Sequence, residues 1–234
     1  GVAAAVRMAQ AAGSGTQRHT GFDGPITTVI IVRHGMSVDT GRDVFAGNVV
    51  PGPSLSPDGL AQAQAASREI RRMIDVPWFG LHAPVGAIAS PTARTMETAA
   101  ELAAPWGLEI GTDAGFIEQN FGEWDGLTAL QVRDRWPGGV ERWASDPDYH
   151  PGDGESRREV GDRVKAALTQ VVDRWCGRCV LIASHAVATR AAIGAALGAP
   201  PEAWASFRIA PASINVLRFW ASGPTEVVCT NRTV

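Results

Sequence analysis

Two short runs of apolar, β-branched residues in this chain each stop on a histidine. The first is Thr28-Val29-Ile30-Ile31-Val32-Arg33-His34-Gly35, the second Val180-Leu181-Ile182-Ala183-Ser184-His185-Ala186. A continuous apolar run of this length, bounded by a polar turn, is the pattern of a strand covered on both faces of a sheet. In an open α/β sheet, ligands bind in the crevice at the carboxyl ends of the strands. Two histidines at two such ends can meet in one crevice, however far apart they lie in sequence.

The intervening pattern supports such a sheet. Ser56-Pro57-Asp58 reads as an N-cap with proline at the first helical position. Leu60, Ala63, Ala66, Ile70 and Ile74 then fall on one face of a helix that ends near residue 74. Residues 86–90 form a second short strand, and a helix over 92–104 is closed by Pro105 and Gly107. Residues 108–110 read as a brief edge strand. A long amphipathic helix over 155–175 turns Val160, Val164, Leu168, Val171 and Trp175 inward and feeds the second histidine-ended strand. A helix over 187–197 and two closing strands, 214–219 and 226–229, complete the chain. Strands alternating with helices predict a three-layer α/β/α sandwich with a mostly parallel central sheet.

The length of 234 residues fits one domain, expected over 25–234. Residues 1–24, rich in Ala, Gly, Gln and Ser, read as a flexible tail, a linker or a non-native remnant. The formal charge of −3 without a basic block argues against a nucleic-acid partner. No run approaches the roughly 18 apolar residues of a membrane span. No secretory leader is readable, and three cysteines suit a reducing cytosol, so a cytoplasmic location is expected. The closing edge strand leaves a homodimer open.

The residues around the two histidines carry the chemistry. Arg33 precedes His34, and Gly35 is expected to let the backbone approach a ligand closely. Ser90-Pro91-Thr92-Ala93-Arg94 ends the second strand, so Arg94 can reach the same crevice. Two guanidiniums and two imidazoles around one point suit a tetrahedral dianion, because arginine binds phosphate bidentately and keeps its charge. A neutral imidazole in such a cage is a competent nucleophile towards phosphorus. The leaving alkoxide then needs a proton, which a carboxylic acid can supply. Arg94 lies in the first turn of its helix, where a cation opposes the dipole, which favours a ligand-binding role.

These residues resemble the histidine phosphatase superfamily, the phosphoglycerate mutase-like group (branch 1). Its Arg-His-Gly hallmark stands as Arg33-His34-Gly35, with the small hydroxyl residue two further on as Ser37. A loop-and-helix segment is echoed by Leu55-Ser56, Gly59 and Gln62-Ala63, and the Ser-Pro motif by Ser90-Pro91, Arg94 and Thr98-Ala99. Glu118, Phe121-Gly122, Trp124 and Gly126 match the family's glutamate-aromatic-glycine motif, and Gly154-Glu155-Ser156 precedes the long helix as in many members. The resemblance covers residues 28 to about 219 and is nearest to short members such as α-ribazole phosphatase and broad-specificity phosphatases. It implies that His34 attacks phosphorus and forms a phosphohistidine. It further implies that Arg33, Arg94 and His185 hold the phosphoryl oxygens, and that Glu118 protonates the leaving group and then activates water. The substrate-binding set is then Arg33, Gly35, Ser37, Arg94, His185 and Ala186, with no metal and no cofactor. Three positions depart from the family pattern: Thr40 stands for an asparagine, Ala186 for a glycine and Gly52 for an acidic residue.

The expected activity is hydrolysis of a small phosphomonoester. Mutase-type phosphotransfer and a non-catalytic anion-binding module are the alternatives. Residues 116–157, the segment that forms the lid in relatives, are the least regular. Within 119–158 stand five arginines (133, 135, 142, 157, 158), no lysine, and eight carboxylates (123, 125, 134, 141, 146, 148, 153, 155). That balance disfavours a highly charged bisphosphate and suits a partly apolar leaving group. Trp124 and Trp143 are candidates for lining the mouth. Cys176-Gly177-Arg178-Cys179 has the spacing of a redox dithiol, but it closes a helix instead of opening one, which reverses the dipole that would stabilise a thiolate. A thiol oxidoreductase is therefore the last-ranked reading.

Overall fold

A computed structural model describes residues 22–234. The expectation for residues 1–24 lies, over 1–21, outside the described residues. The elements are β1 (Ile26–Arg33), α1 (Val38–Gly41), α2 (Pro57–Asp75), β2 (Gly86–Ala89), α3 (Ala93–Ala103) and β3 (Ile110–Thr112). They continue with α4 (Ala129–Arg135), α5 (Gly139–Ser145), α6 (Arg157–Arg174), β4 (Cys179–Ser184), α7 (Ala186–Leu197), β5 (Ile214–Trp220) and β6 (Thr225–Arg232). Among the described residues, no helix is long and apolar enough to cross a membrane.

The six strands form one mixed sheet in the order β3-β2-β4-β1-β5-β6. β3, β2, β4 and β1 run parallel, while β5 and β6 add an antiparallel edge. The period-2 alternation of β1 divides the core. Val29 and Ile31 join Val180, Ile182, Val160, Val164, Leu168 and Ile193 on the face covered by α6 and α7. Ile30 and Val32 join Leu181 with Ala66, Ile70, Met73 and Leu102 on the face covered by α2 and α3. The sandwich with its mostly parallel sheet is therefore present as expected.

Local capping agrees with the sequence. The Ser56 hydroxyl accepts from the Gly59 amide at 3.0 Å, and Pro57 opens α2. Ser156 and Glu159 cap α6 reciprocally. Three expectations need correction. Leu60 is 40% exposed; the buried face of α2 runs instead from Gly59 through Ala63, Ala66 and Ile70 to Met73. The edge strand lies at Ile110–Thr112 because pairing with Ala87, Ile88 and Ala89 sets its register. Trp124 is wholly buried and packs with Phe45, Trp136 and Tyr149 at ring separations of 5.3, 6.3 and 6.0 Å. It is the core of the irregular 116–157 segment and does not line a mouth.

Candidate active site

Strand register brings the histidines together. Arg33 pairs with Ser184 across β1 and β4, so the next residue of each strand, His34 and His185, emerge side by side. The His34 amide donates to the Ser184 carbonyl at 2.9 Å, and the Ser90 amide, ending β2, donates to Ala183 at 3.1 Å. The rings lie 5.2 Å apart at 67°. Arg94, on the first turn of α3, reaches across both. Its Nε donates to His34 Nε2 at 3.2 Å, and its Nη2 donates to His185 Nδ1 at 3.3 Å and to the Gly47 carbonyl at 2.8 Å. Arg94, His34, His185 and Glu118 are all buried.

The hydrogen bonds assign both tautomers. A carbonyl can only accept, so His34 Nδ1 carries the proton that it gives to Gly35 O at 2.7 Å. Its Nε2 is left as a lone pair, facing the always-protonated Arg94. For His185, Nδ1 accepts from Arg94, so Nε2–H donates to Ser90 Oγ at 2.6 Å. Ser90 Oγ in turn meets Thr95 Oγ1 at 3.2 Å. Burial lowers the His34 pKa well below the ordinary histidine value, and the Arg94 and Arg33 charges lower it further. Burial acts first on His185 as well, followed by His34, Arg94, Arg33 and Arg163. Both imidazoles are held neutral.

Arg33 donates Nη1 to the Ile209 carbonyl at 2.7 Å, while its buried Nε has no partner. Glu118 is held through space instead of sequence. Its Oε1 accepts from the amides of Gln119 (3.0 Å), Val187 (3.2 Å) and Ala188 (3.3 Å). Its Oε2 accepts from Val187 alone, at 3.2 Å. The carboxylate thus caps α7, whose own N-cap residue His185 makes no side-chain cap. Ala186, the first residue of α7, sits between His185 and these amides.

Gly35 and Ser37 each make close contacts within the protein. A Cβ on Gly35 would collide with the Gly59 carbonyl, and one on Gly59 with Met36, so the missing side chains let two backbones touch. Ser37 is buried and caps α1, accepting from the Thr40 amide at 3.3 Å and meeting Thr40 Oγ1 at 3.1 Å. It is spent on the residue that stands where relatives carry asparagine. Cys179 is buried at the start of β4, and burial pushes its thiol up to about 12, far from the activated range of a redox cysteine. Cys176, Cys179 and Cys229 are free thiols.

Several residues at the site were not singled out by the sequence. Ser90 was quoted only as part of a motif, yet it fixes the His185 tautomer. Arg190 interrupts an otherwise apolar helix, a readable signal; its Nε donates to Phe207 O at 2.8 Å. Arg163 stands beside the buried Val160, Val164 and Ala167 of α6, where an arginine also calls for explanation.

A mostly parallel α/β sandwich that brings buried histidines and arginines to adjacent strand ends is an arrangement of a recognisable class. Residues 29–232 match the histidine phosphatase superfamily (branch 1), and the chain belongs to that superfamily. A bifunctional protein of Mycobacterium tuberculosis is 28% identical over 214 residues, covering 92% of this chain and 56% of that protein. The chain thus spans about half the length of the curated relatives it matches first. Phosphoserine phosphatase 1 of Hydrogenobacter thermophilus is 32% identical over 191 residues, covering 81% of this chain and 85% of that protein. The structure of a mycobacterial glucosyl-3-phosphoglycerate phosphatase with VO3 superposes with a TM-score of 0.76 at 24% identity, covering 88% of this chain and 99% of the other.

Proposed function

We propose that this domain is a metal-independent phosphomonoesterase that works through a phosphohistidine on His34. The observation that carries this reading is the His34 tautomer: with Nδ1–H tied to Gly35 O, the basic Nε2 is the atom presented beside Arg94. In the first step that lone pair attacks phosphorus and the P–O ester bond breaks. Glu118, in its acid form, gives its proton to the leaving oxygen. Oε2 suits this transfer, since Oε1 is already engaged by three amides. In the second step Glu118 takes a proton from water, the hydroxide attacks the phosphohistidine, and the N–P bond breaks. Phosphate leaves, with His34 neutral and Glu118 protonated again. Arg33 and Arg94 supply charge and hydrogen bonds to the phosphoryl oxygens, and His185 contributes its single donor, Nε2–H.

The 116–157 segment favours hydrolysis over mutase-type transfer. Arg133 pairs with Glu141 at 2.7 Å, Arg158 with Asp148 at 2.6 Å and Arg142 with Asp146 at 4.0 Å. Those cations are occupied within the segment or its edge instead of forming a clamp for a second phosphate. A hollow lined by Trp143, Ala144, Val187, Trp204 and Ala205, with Arg157 and Arg190 at its wall, adjoins the Glu118 carboxylate through Val187. It suits a leaving group with an apolar body. Relatives are named for phosphoserine and glucosyl-3-phosphoglycerate, and the substrate proposed here is likewise a small phosphorylated metabolite of the cytoplasm.

Purified protein in chelator should release phosphate from p-nitrophenyl phosphate and form acid-labile phosphoprotein, and His34→Ala should do neither. Metal-dependent turnover, or an active His34→Ala, would overturn the mechanism. Robust 3- to 2-phosphoglycerate conversion would favour the mutase. Phosphate binding without turnover on a broad panel would favour the anion-binding module.

A further inference from the structure

Glu118 sits on a stretch with no regular structure, between a single turn ending at Phe116 and another starting at Gly122. Backbone groups there cannot satisfy one another and need partners from elsewhere. Arg163 of α6 supplies most of them. Its Nη1 donates to Gly115 O at 3.0 Å and Ile117 O at 2.8 Å, and its Nη2 to Glu118 O at 3.0 Å. Nε and Nη2 hold both oxygens of Glu155 at 2.7 and 2.8 Å. Five contacts match the five donors of a guanidinium, a set that lysine cannot reproduce.

Glu155 carries the support past Glu118. Its Oε2 accepts from the Asn120 amide at 3.3 Å, and its carbonyl accepts from Gln119 Nε2 at 2.6 Å. Its own amide donates to Asn120 O at 2.7 Å. The one remaining residue, Phe116, is held by Ser184 Oγ at 2.8 Å, from the end of β4 next to His185. Every residue from 115 to 120 is therefore pinned by a side chain or backbone group outside the stretch. The side chain of Glu118 is fixed from the other side by the α7 amides. The ion pair itself is partly shielded, with Arg163 22% and Glu155 20% exposed.

We propose that Arg163 and Glu155 are positioning residues that aim the acid Glu118 at the leaving oxygen. This rests on the reading of Glu118 given above. They touch neither substrate nor the reacting atoms. Their effect is on proton donation, because a misplacement of about 1 Å at a catalytic group costs roughly 100-fold.

The test exploits the leaving group. kcat/KM, which reports formation of the phosphohistidine, is measured for p-nitrophenyl phosphate, phenyl phosphate and glycerol phosphate. The variants are Arg163→Lys, Glu155→Gln and Glu118→Gln, and melting curves check that each is folded. Nitrophenolate departs without a proton, whereas glycerol oxide does not. Arg163→Lys should lose about 10- to 100-fold on glycerol phosphate and less than about threefold on p-nitrophenyl phosphate. Glu155→Gln should show the same order, and Glu118→Gln a steeper one. An equal loss on all three substrates, or none, in a folded Arg163→Lys would overturn the proposal. If Arg163→Lys fails to fold, Glu155→Gln decides by the same criterion. A Glu118→Gln variant without leaving-group dependence would instead overturn the assignment of the acid, and the positioning role with it.

Discussion

Lowering the pH through the histidine range should destabilise this fold steeply, and the slope reports directly on the two site histidines. His34 and His185 are held neutral, first by burial and then by the neighbouring cations. In the unfolded chain both return to a value near 6.5. Below that pH the unfolded state binds two protons that the native state refuses, so stability falls as pH falls. Each group contributes about 1.4 kcal/mol per pH unit. The pair together costs about 2.8 kcal/mol per unit, from about pH 6.5 down to the first folded-state pKa. Against a total stability on the order of 5–15 kcal/mol, one unit is a large fraction. The window is free of the shifted carboxylates. Burial would raise the Glu69 pKa, but its bonds to Arg72 and Arg232 bring it below the ordinary 4.5. Its stabilisation is full above about pH 4.5 and is lost only as pH falls further. Urea unfolding at fixed ionic strength, at half-unit steps from about pH 7.5 to 5, reads the slope. His34→Asn and His185→Asn should each remove about half of it. A slope under about 1 kcal/mol per unit in the wild type, or one unchanged in both variants, would refute the reasoning.

Three further outcomes are expected. Ser90→Ala leaves the buried His185 Nε2–H without its 2.6 Å partner, which should cost about 1–3 kcal/mol in urea unfolding and lower kcat/KM for p-nitrophenyl phosphate. Glu69→Gln removes the carboxylate that ties Arg72 on α2 to Arg232 on β6, at 2.7 and 2.5 Å. Both arginines can turn to water, so the loss should be about 1–2 kcal/mol with activity unchanged. Vanadate at 100 times its Kd should add about 2.7 kcal/mol of stability by mass action, and Arg94→Ala should abolish that gain.

The central sheet was legible because burial on both faces leaves a signature in composition alone. β1 and β4 read as apolar runs, and the cap at Ser56 announced α2. What escaped was set by contacts distant in sequence. The edge strand is placed by its pairing with β2, not by its own residues, which include Gly111 and exposed Thr112. Leu60 is apolar, yet it lies at the margin of the buried stripe, one position past Gly59, which is the residue of that first turn packed against the turn after β1. Trp124 reads equally well as wall or core from its own segment, and only the rings of Phe45, Trp136 and Tyr149 decide for core.

The site divides along the same line. Its charges were readable one by one: an arginine before His34, an arginine opposing a helix dipole at position 94, a glutamate in a glycine-aromatic motif. Their protonation was not, because a tautomer depends on which partner faces which nitrogen. Gly35 illustrates the difference. As a residue it announced a close approach of the backbone; one such approach is to the backbone of Gly59, which needs the same absence of a side chain. Its carbonyl, freed from any other task at the turn, accepts the His34 Nδ1 proton and so leaves Nε2 basic. The glycine therefore serves the chemistry through the path of the main chain, by holding the turn against α2 so that the carbonyl points back at the ring. A larger residue at 35 or 59 would move that carbonyl, and with it the lone pair on which the proposed attack depends.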